Sequence, residues 1–178
     1  VDEFPIFLMD RLVGFEGQFI VAGLGDTLLI NGTLDPYLEV PAQMVRFRVV
    51  NASAERGYHF GLSGGQSFQL IGTDGGLLER PLTKDRMLVM PGERLDVVVD
   101  LTAAQGSTVD LMAFNSEITG NDIPGSVNGP GGGNVLNGLD LKLVELRVGA
   151  PTDDAVTELP TELQAVPRLT EAQATHMR

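Results

Sequence analysis

The chain has no cysteine and only two histidines, His59 and His176. Without cysteine there are no disulfides and no thiolate chemistry. A type 1 copper centre is excluded as well, because it takes two imidazoles and one thiolate, usually with a weak axial methionine. Two histidines so far apart in sequence cannot supply the converging imidazoles of a multinuclear copper centre. Clustered cations are also lacking. The 12 Lys and Arg are scattered among 24 Asp and Glu, for a net charge of −12, so a duplex-binding surface is not expected. No run approaches the ~20 apolar residues of a membrane span. The apolar stretches, such as 28–30 and 97–99, are strand-sized.

Nucleophilic and phosphate-binding motifs are missing too. No Gly-x-Ser-x-Gly elbow occurs. The run Gly129-Pro130-Gly131-Gly132-Gly133 is followed by no Gly-Lys-Ser/Thr and lies in no strand-to-helix context, so it is not a phosphate loop. Asp153 and Asp154 fall in a proline-spaced segment and read as solvated. The six methionines do not cluster as a thioether site, and Met87 and Met90 read as fillers of core gaps. His59, in Tyr58-His59-Phe60, reads as a core or edge histidine with a satisfied hydrogen bond. The acidic excess reads first as solubility, with cation attraction as the alternative.

What is present is short alternating runs separated by turn residues. The 178 residues suit one domain with an appendage; 43% of them are hydrophobic, enough for a core, and Gly 22 with Pro 10 favours an all-β chain. The clearest strand is Met44–Asn51, with Val45, Phe47 and Val49 on one face and Arg46 and Arg48 on the other. At 95–101, Leu95, Val97 and Val99 alternate with Asp96, Val98 and Asp100. Further strands are expected at 4–10, Thr27–Ile30, Tyr58–Leu62, 68–72, 87–90, 109–114 and 141–148. Tyr58–Leu62 and 68–72 are expected to pair across Ser63-Gly64-Gly65-Gln66. Eight or nine short strands at this spacing predict a sandwich or Greek-key barrel.

The turns have their own signatures. A Gly-containing turn is expected at 13–18. Asn31-Gly32 is a strong hairpin dipeptide. Asp74-Gly75-Gly76 requires positive φ at a glycine, and Pro91-Gly92 predicts a type I or II turn. In Pro91-Gly92-Glu93-Arg94-Leu95-Asp96, the favoured reading is a turn whose Arg94 pairs with an acid and staples strands, over a charged binding site. Arg46 and Arg48 are placed to reach carboxylates or carbonyls on a neighbouring strand. Asn31-Gly32-Thr33 and Asn51-Ala52-Ser53 match the glycosylation pattern, but turn chemistry accounts for both.

Two segments break the pattern. The Gly- and Asn-rich stretch 115–138 reads as a mobile surface loop, with a partner- or substrate-facing loop as the alternative. Residues 150–174 carry Pro151, Pro160 and Pro167 and read as an extended linker lying on a surface, with a short helix near 170–175. The chain starts at Val1 and shows no signal peptide, which reads as a piece of something longer. No internal repeat is evident.

Four segments in order, "FPIFLMDRLVGFEGQF", "GDTLLINGTLDPYLEVPAQMVRFRVVNAS", "TDGGLLERPL" and "PGERLDVVVDL", together with the Leu159-Pro160 linker, resemble the second cupredoxin domain of bacterial three-domain multicopper oxidases. That group holds laccases, bilirubin oxidases and copper-efflux oxidases. The likeness runs across nearly the whole chain. It implies a copper-free cupredoxin-like Greek-key domain over 1–149 and an interdomain linker over 150–178. The neighbours would be the first and third domains of one parent, and these would hold the copper. The parent would be periplasmic or secreted, would oxidise phenols or metal ions and would reduce dioxygen to water. The chain alone would not be catalytic. No copper ligand of the family carries over to any residue here. The motif residues Asn31, Gly32, Arg46, Arg48, Asn51, Asp74, Gly75, Gly76, Pro91, Gly92, Glu93, Arg94 and Asp96 are structural in this reading. The loop at 115–138 departs from the family's pattern. Two rivals stand beside it: a domain of a copper-free periplasmic scaffold like the cell-division pseudo-oxidases, and a free-standing acidic binding module.

Overall fold

Alternation along the strands forces two faces on each sheet, and the two apolar faces close on one another. The computed structural model describes residues 2–168 and 170. It contains β1 (Asp2–Val13), β2 (Phe19–Ile20), β3 (Thr27–Ile30), β4 (Tyr37–Pro41), β5 (Met44–Asn51), β6 (Tyr58–Leu62), β7 (Phe68–Thr73), β8 (Gly76–Lys84), β9 (Arg86–Val89), β10 (Arg94–Asp100), β11 (Thr108–Phe114) and β12 (Asp140–Gly149). One sheet runs β2-β1-β5-β10-β7-β8, with β3 also paired to β1, and the other runs β4-β12-β11-β6-β9. The β1–β5 and β4–β12 pairs are parallel. The architecture is the all-β sandwich expected from the sequence. Among the described residues no helix is long and apolar enough to cross a membrane.

The expected inward residues build the core. Val45, Phe47 and Val49 are fully buried, as are Val97 and Val99. Val98, on the opposite face, is buried too. It lies in register between Arg46 and Gln69. Phe60 on β6 meets Phe68 on β7 edge-on, with ring centroids 5.4 Å apart. That contact joins the two sheets, and edge-to-face geometry adds to the burial of both rings. Met87 packs against the core, as expected.

The expected pairing of β6 with β7 is wrong. β6 pairs with β11 and β9, and β7 pairs with β10 and β8. Ser63–Gly65 forms a short 3-10 turn with Gly64 and Gly65 at φ 69° and 72°. This turn carries the chain from one sheet to the other instead of closing a hairpin. Three strands had no sequence signal. β2 is two residues long, β4 is bounded by Pro36 and Pro41, and β8 is an edge strand with little burial on either face.

The turns form as expected. Asn31 and Gly32 both have positive φ, 51° and 78°, between Ile30 and Thr33, the type I′ geometry. At Met90-Pro91-Gly92-Glu93 the Glu93 amide donates to the Met90 carbonyl at 3.0 Å, with Gly92 at φ 85°, a type II turn. The stretch 115–138 is not a free surface loop. The Gly57 amide donates to the Pro124 carbonyl at 2.8 Å, Asn115 and Ser126 are fully buried, and the Gly138 amide donates to the Gly125 carbonyl. Glycines permit this close approach: a Cβ on Gly129 would collide with the Ile123 carbonyl. After β12 the chain crosses the sandwich. The Met44 amide donates to the Val156 carbonyl and the Leu163 amide to the Glu79 carbonyl. The helix expected near 170–175 lies outside the described residues, apart from Thr170 alone.

Candidate functional site

The residues singled out in the sequence do not converge on one site; they tie strands together at separate places. Asn31 caps the β1 edge, accepting from the Phe7 amide and donating to the Pro5 carbonyl. Gly32 completes that turn. Arg46 grips both carboxylate oxygens of Asp96 across β5 and β10 and reaches Glu3 at 2.9 Å. The Asp96 hydrogen bond, with the charges of Asp96 and Glu3, raises the Arg46 pKa against the opposing effect of burial. Arg48 pairs with the other oxygen of Glu3 at 3.1 Å. Arg94 pairs with Asp74 at 2.9 Å, beside the turn through Gly75 and Gly76. Glu93 accepts from the Met90 amide across the Pro91-Gly92 turn. Asn51 is buried; it donates to the carbonyls of Arg56 and Val89 and accepts from the Ser53 amide.

The most enclosed polar cluster involves residues the sequence reading passed over. Arg56 and Asp10 are both fully withdrawn from solvent, with Arg56 Nε donating to Asp10 Oδ2 at 2.9 Å. The guanidinium also donates to the Gly25 carbonyl, to Asn134 Oδ1 at 2.8 Å and to Asn137 Oδ1 at 2.9 Å. The Gly25 amide donates to Asp10 Oδ2 at 2.7 Å, and Ser53 Oγ accepts from the Asp10 amide. Among the described residues Asp10 Oδ1 has no hydrogen-bond partner. Tyr58 closes the cluster, its hydroxyl 2.9 Å from Ser53 Oγ. Burial first, and then the charge of Asp10, push the Tyr58 pKa well above the usual tyrosine range. A signal for this cluster existed. Ile6, Leu8 and Asp10 lie on one inward face of β1 at a period of two, and an acid at a core position calls for a cation.

His59 differs from its expected satisfied state. Its Nδ1 is buried without a hydrogen bond among the described residues, 3.6 Å from Glu117 Oε2, which is itself gripped by Arg86. Arg86 also lies over the Phe114 ring. Among the described residues no three His, Cys, Asp or Glu are grouped to hold a metal ion. One imidazole beside an Arg-neutralised carboxylate is a poor donor set for copper, so this pair does not fit a copper centre. His176 lies outside the described residues.

The fold can be compared with known proteins. The sequence profile of the family described as Multicopper oxidase matches residues 15–126. The chain belongs to the multicopper oxidase family. It is 42% identical over 137 residues to the laccase of Bacillus subtilis (strain 168), covering 67% of this chain and 26% of that protein. It is 44% identical over 123 residues to the cell division protein FtsP of Edwardsiella tarda (strain FL6-60), covering 64% and 25%. The crystal structure of the McoA multicopper oxidase from the hyperthermophile Aquifex aeolicus matches 98% of this chain at a TM-score of 0.78 and 28% identity. The match takes up 37% of that chain. This multicopper oxidase domain thus spans about a quarter of the length of the curated relatives it matches.

Proposed function

We propose that this chain is the copper-free spacer domain of a larger multicopper oxidase, with the domain at 1–149 and an interdomain linker at 150–178. The observation that carries this is the pairing of a multicopper oxidase domain with a sequence holding no cysteine and two histidines. Copper chemistry in such a polypeptide is then the work of flanking domains, which supply the ligands and oxidise phenols or metal ions while dioxygen is reduced to water. The spacer holds those domains apart and helps wall the substrate cleft, in the periplasm or outside the cell. The motif residues from Asn31 to Asp96 keep the sandwich rigid for that purpose.

A second reading has a specific observation behind it. Several relatives are cell division proteins named FtsP, at identities similar to the laccase. On that reading the parent is a copper-free scaffold. Copper content and dioxygen uptake of the polypeptide from the complete reading frame test both. About four coppers per chain, the complement of one type 1 and one trinuclear centre, with phenol-dependent dioxygen uptake support the oxidase. A folded, copper-free polypeptide after copper loading supports the scaffold.

A further inference from the structure

Two stretches of this acidic chain carry no charge, and the fold brings them together. Residues 17–25 and 123–139 contain no Asp, Glu, Lys or Arg, in a protein where such residues make up 20%. They join at Gly25, whose carbonyl accepts from both Asn134 Nδ2 and Arg56. Leu24 sits against Gly131, where a Cβ would collide with it. Around this junction large apolar side chains face solvent: Phe19, Val21, Val127, Val135 and Leu139, with Phe15 at the tip of the preceding turn. Val21 is as exposed as in an extended peptide, at 103%. Hydrophobic surface of this kind marks an interaction site.

We propose that these two stretches form one docking surface for an adjoining folded domain of the same polypeptide, and that Arg56 is the positioning residue that holds its halves together. This rests on the spacer reading. The occupant follows from what surrounds the patch. Most of the length of the relatives lies outside the matched region, so a family member has further folded chain to place. A second copy brings another net charge of −12 to the contact and is repelled. An anionic membrane surface is disfavoured on the same ground. Apart from the exposed Glu55 carboxylate, which lies against Gly23, the patch carries no charge to be desolvated, which suits an apolar protein face.

Arg56 connects the parts because no other side chain in the cluster reaches all of them. Its donors reach Asp10 on β1, Gly25 at the end of one stretch, and Asn134 and Asn137 in the other. Arg56 and Asp10 are fully buried, while Asn134 and Asn137 are half-buried and carry the cluster to the surface.

The test uses thiol labelling of the complete polypeptide, read above the background of the unsubstituted protein. Val21→Cys and Val135→Cys probe the surface; Leu34→Cys and Leu82→Cys, also at exposed positions, are the comparison. The proposal expects the first two to label at least about tenfold more slowly than the second two, as for sites reached only by local opening. If Val21→Cys and Val135→Cys label rapidly while Leu34→Cys or Leu82→Cys is protected, the docking surface is wrong but the spacer reading stands. If all four label rapidly, both fail. Protection lost on dilution assigns the surface to a second copy and overturns the proposal. Arg56→Lys keeps a cation for Asp10 but lacks the fork that reaches Gly25, Asn134 and Asn137; it should raise labelling at Val21→Cys and Val135→Cys. Paired Asn134→Ala and Asn137→Ala changes serve if the lysine variant does not fold. Protection undiminished in these variants overturns the role given to Arg56.

Discussion

Arg56 Nε lies 2.9 Å from Asp10 Oδ2, and neither side chain is exposed to water. A single ion pair therefore joins β1 to the segment before β6 and, through the remaining guanidinium donors, to the stretch 115–138. A buried pair of this kind is weak evidence of net stabilisation, because desolvating two charges offsets much of their attraction. Breaking it from one side is a different matter.

Asp10→Ala leaves a buried guanidinium without its counter-charge. It is expected to lower the unfolding free energy by about 3–5 kcal/mol, measured by urea denaturation. A loss under about 1 kcal/mol, the level of an exposed pair, would show that the cluster relaxes or admits water.

Deleting Gly129–Gly133 removes the Gly131 carbonyl, which accepts from the Asn134 amide and from Asn137 Nδ2. Both asparagines are then pulled from Arg56. The midpoint of thermal unfolding should fall by several degrees, since in a chain of this size each 1 kcal/mol corresponds to about 2–4 °C. An unchanged midpoint would return 115–138 to the status of a free loop.

Tyr58 makes the protein sensitive to alkali. Its folded pKa lies above its unfolded value, so the native state binds the extra proton at high pH. The stabilisation is complete below the ordinary tyrosine pKa of about 10 and is lost as pH rises from there toward the folded value. Stability measured against pH should decline above that point, with a shallower decline in Tyr58→Phe. Equal slopes would remove Tyr58 as the cause.

Arg94→Ala is expected to cost no more than about 1 kcal/mol, because both Arg94 and Asp74 are half exposed and surface pairs are screened. Arg46→Ala should cost more, since Arg46 is less exposed and meets two carboxylates. Denaturation of the two variants side by side gives the order.

His59→Ala in the complete polypeptide should leave copper content unchanged, because His59 Nδ1 lies beside Glu117, a carboxylate already held by Arg86. Loss of a copper by elemental analysis would overturn the spacer reading.

β5 has the limits its alternation implied, because a half-buried strand writes its period into the sequence. β3 and β6 have the limits expected of short apolar runs closed by turn residues. β8 did not, since an edge strand with both faces near water needs no apolar alternation. The turns at Asn31-Gly32 and Pro91-Gly92 were legible because positive φ restricts residue choice locally. The pairing of β6 was not, because a five-residue connection is long enough either to close a hairpin or to change sheets.

The sequence by itself determined the class of fold, the inward faces, the turn geometry and the unsuitability of this chain for a thiolate copper site. Each of these follows from local sterics, side-chain period or residue inventory. Tertiary structure alone decided that Asp10 meets Arg56, that 115–138 is bonded to the sandwich, and that two uncharged stretches share one surface. Those contacts join residues far apart along the chain, and no local preference encodes which distant segment will fill a given space.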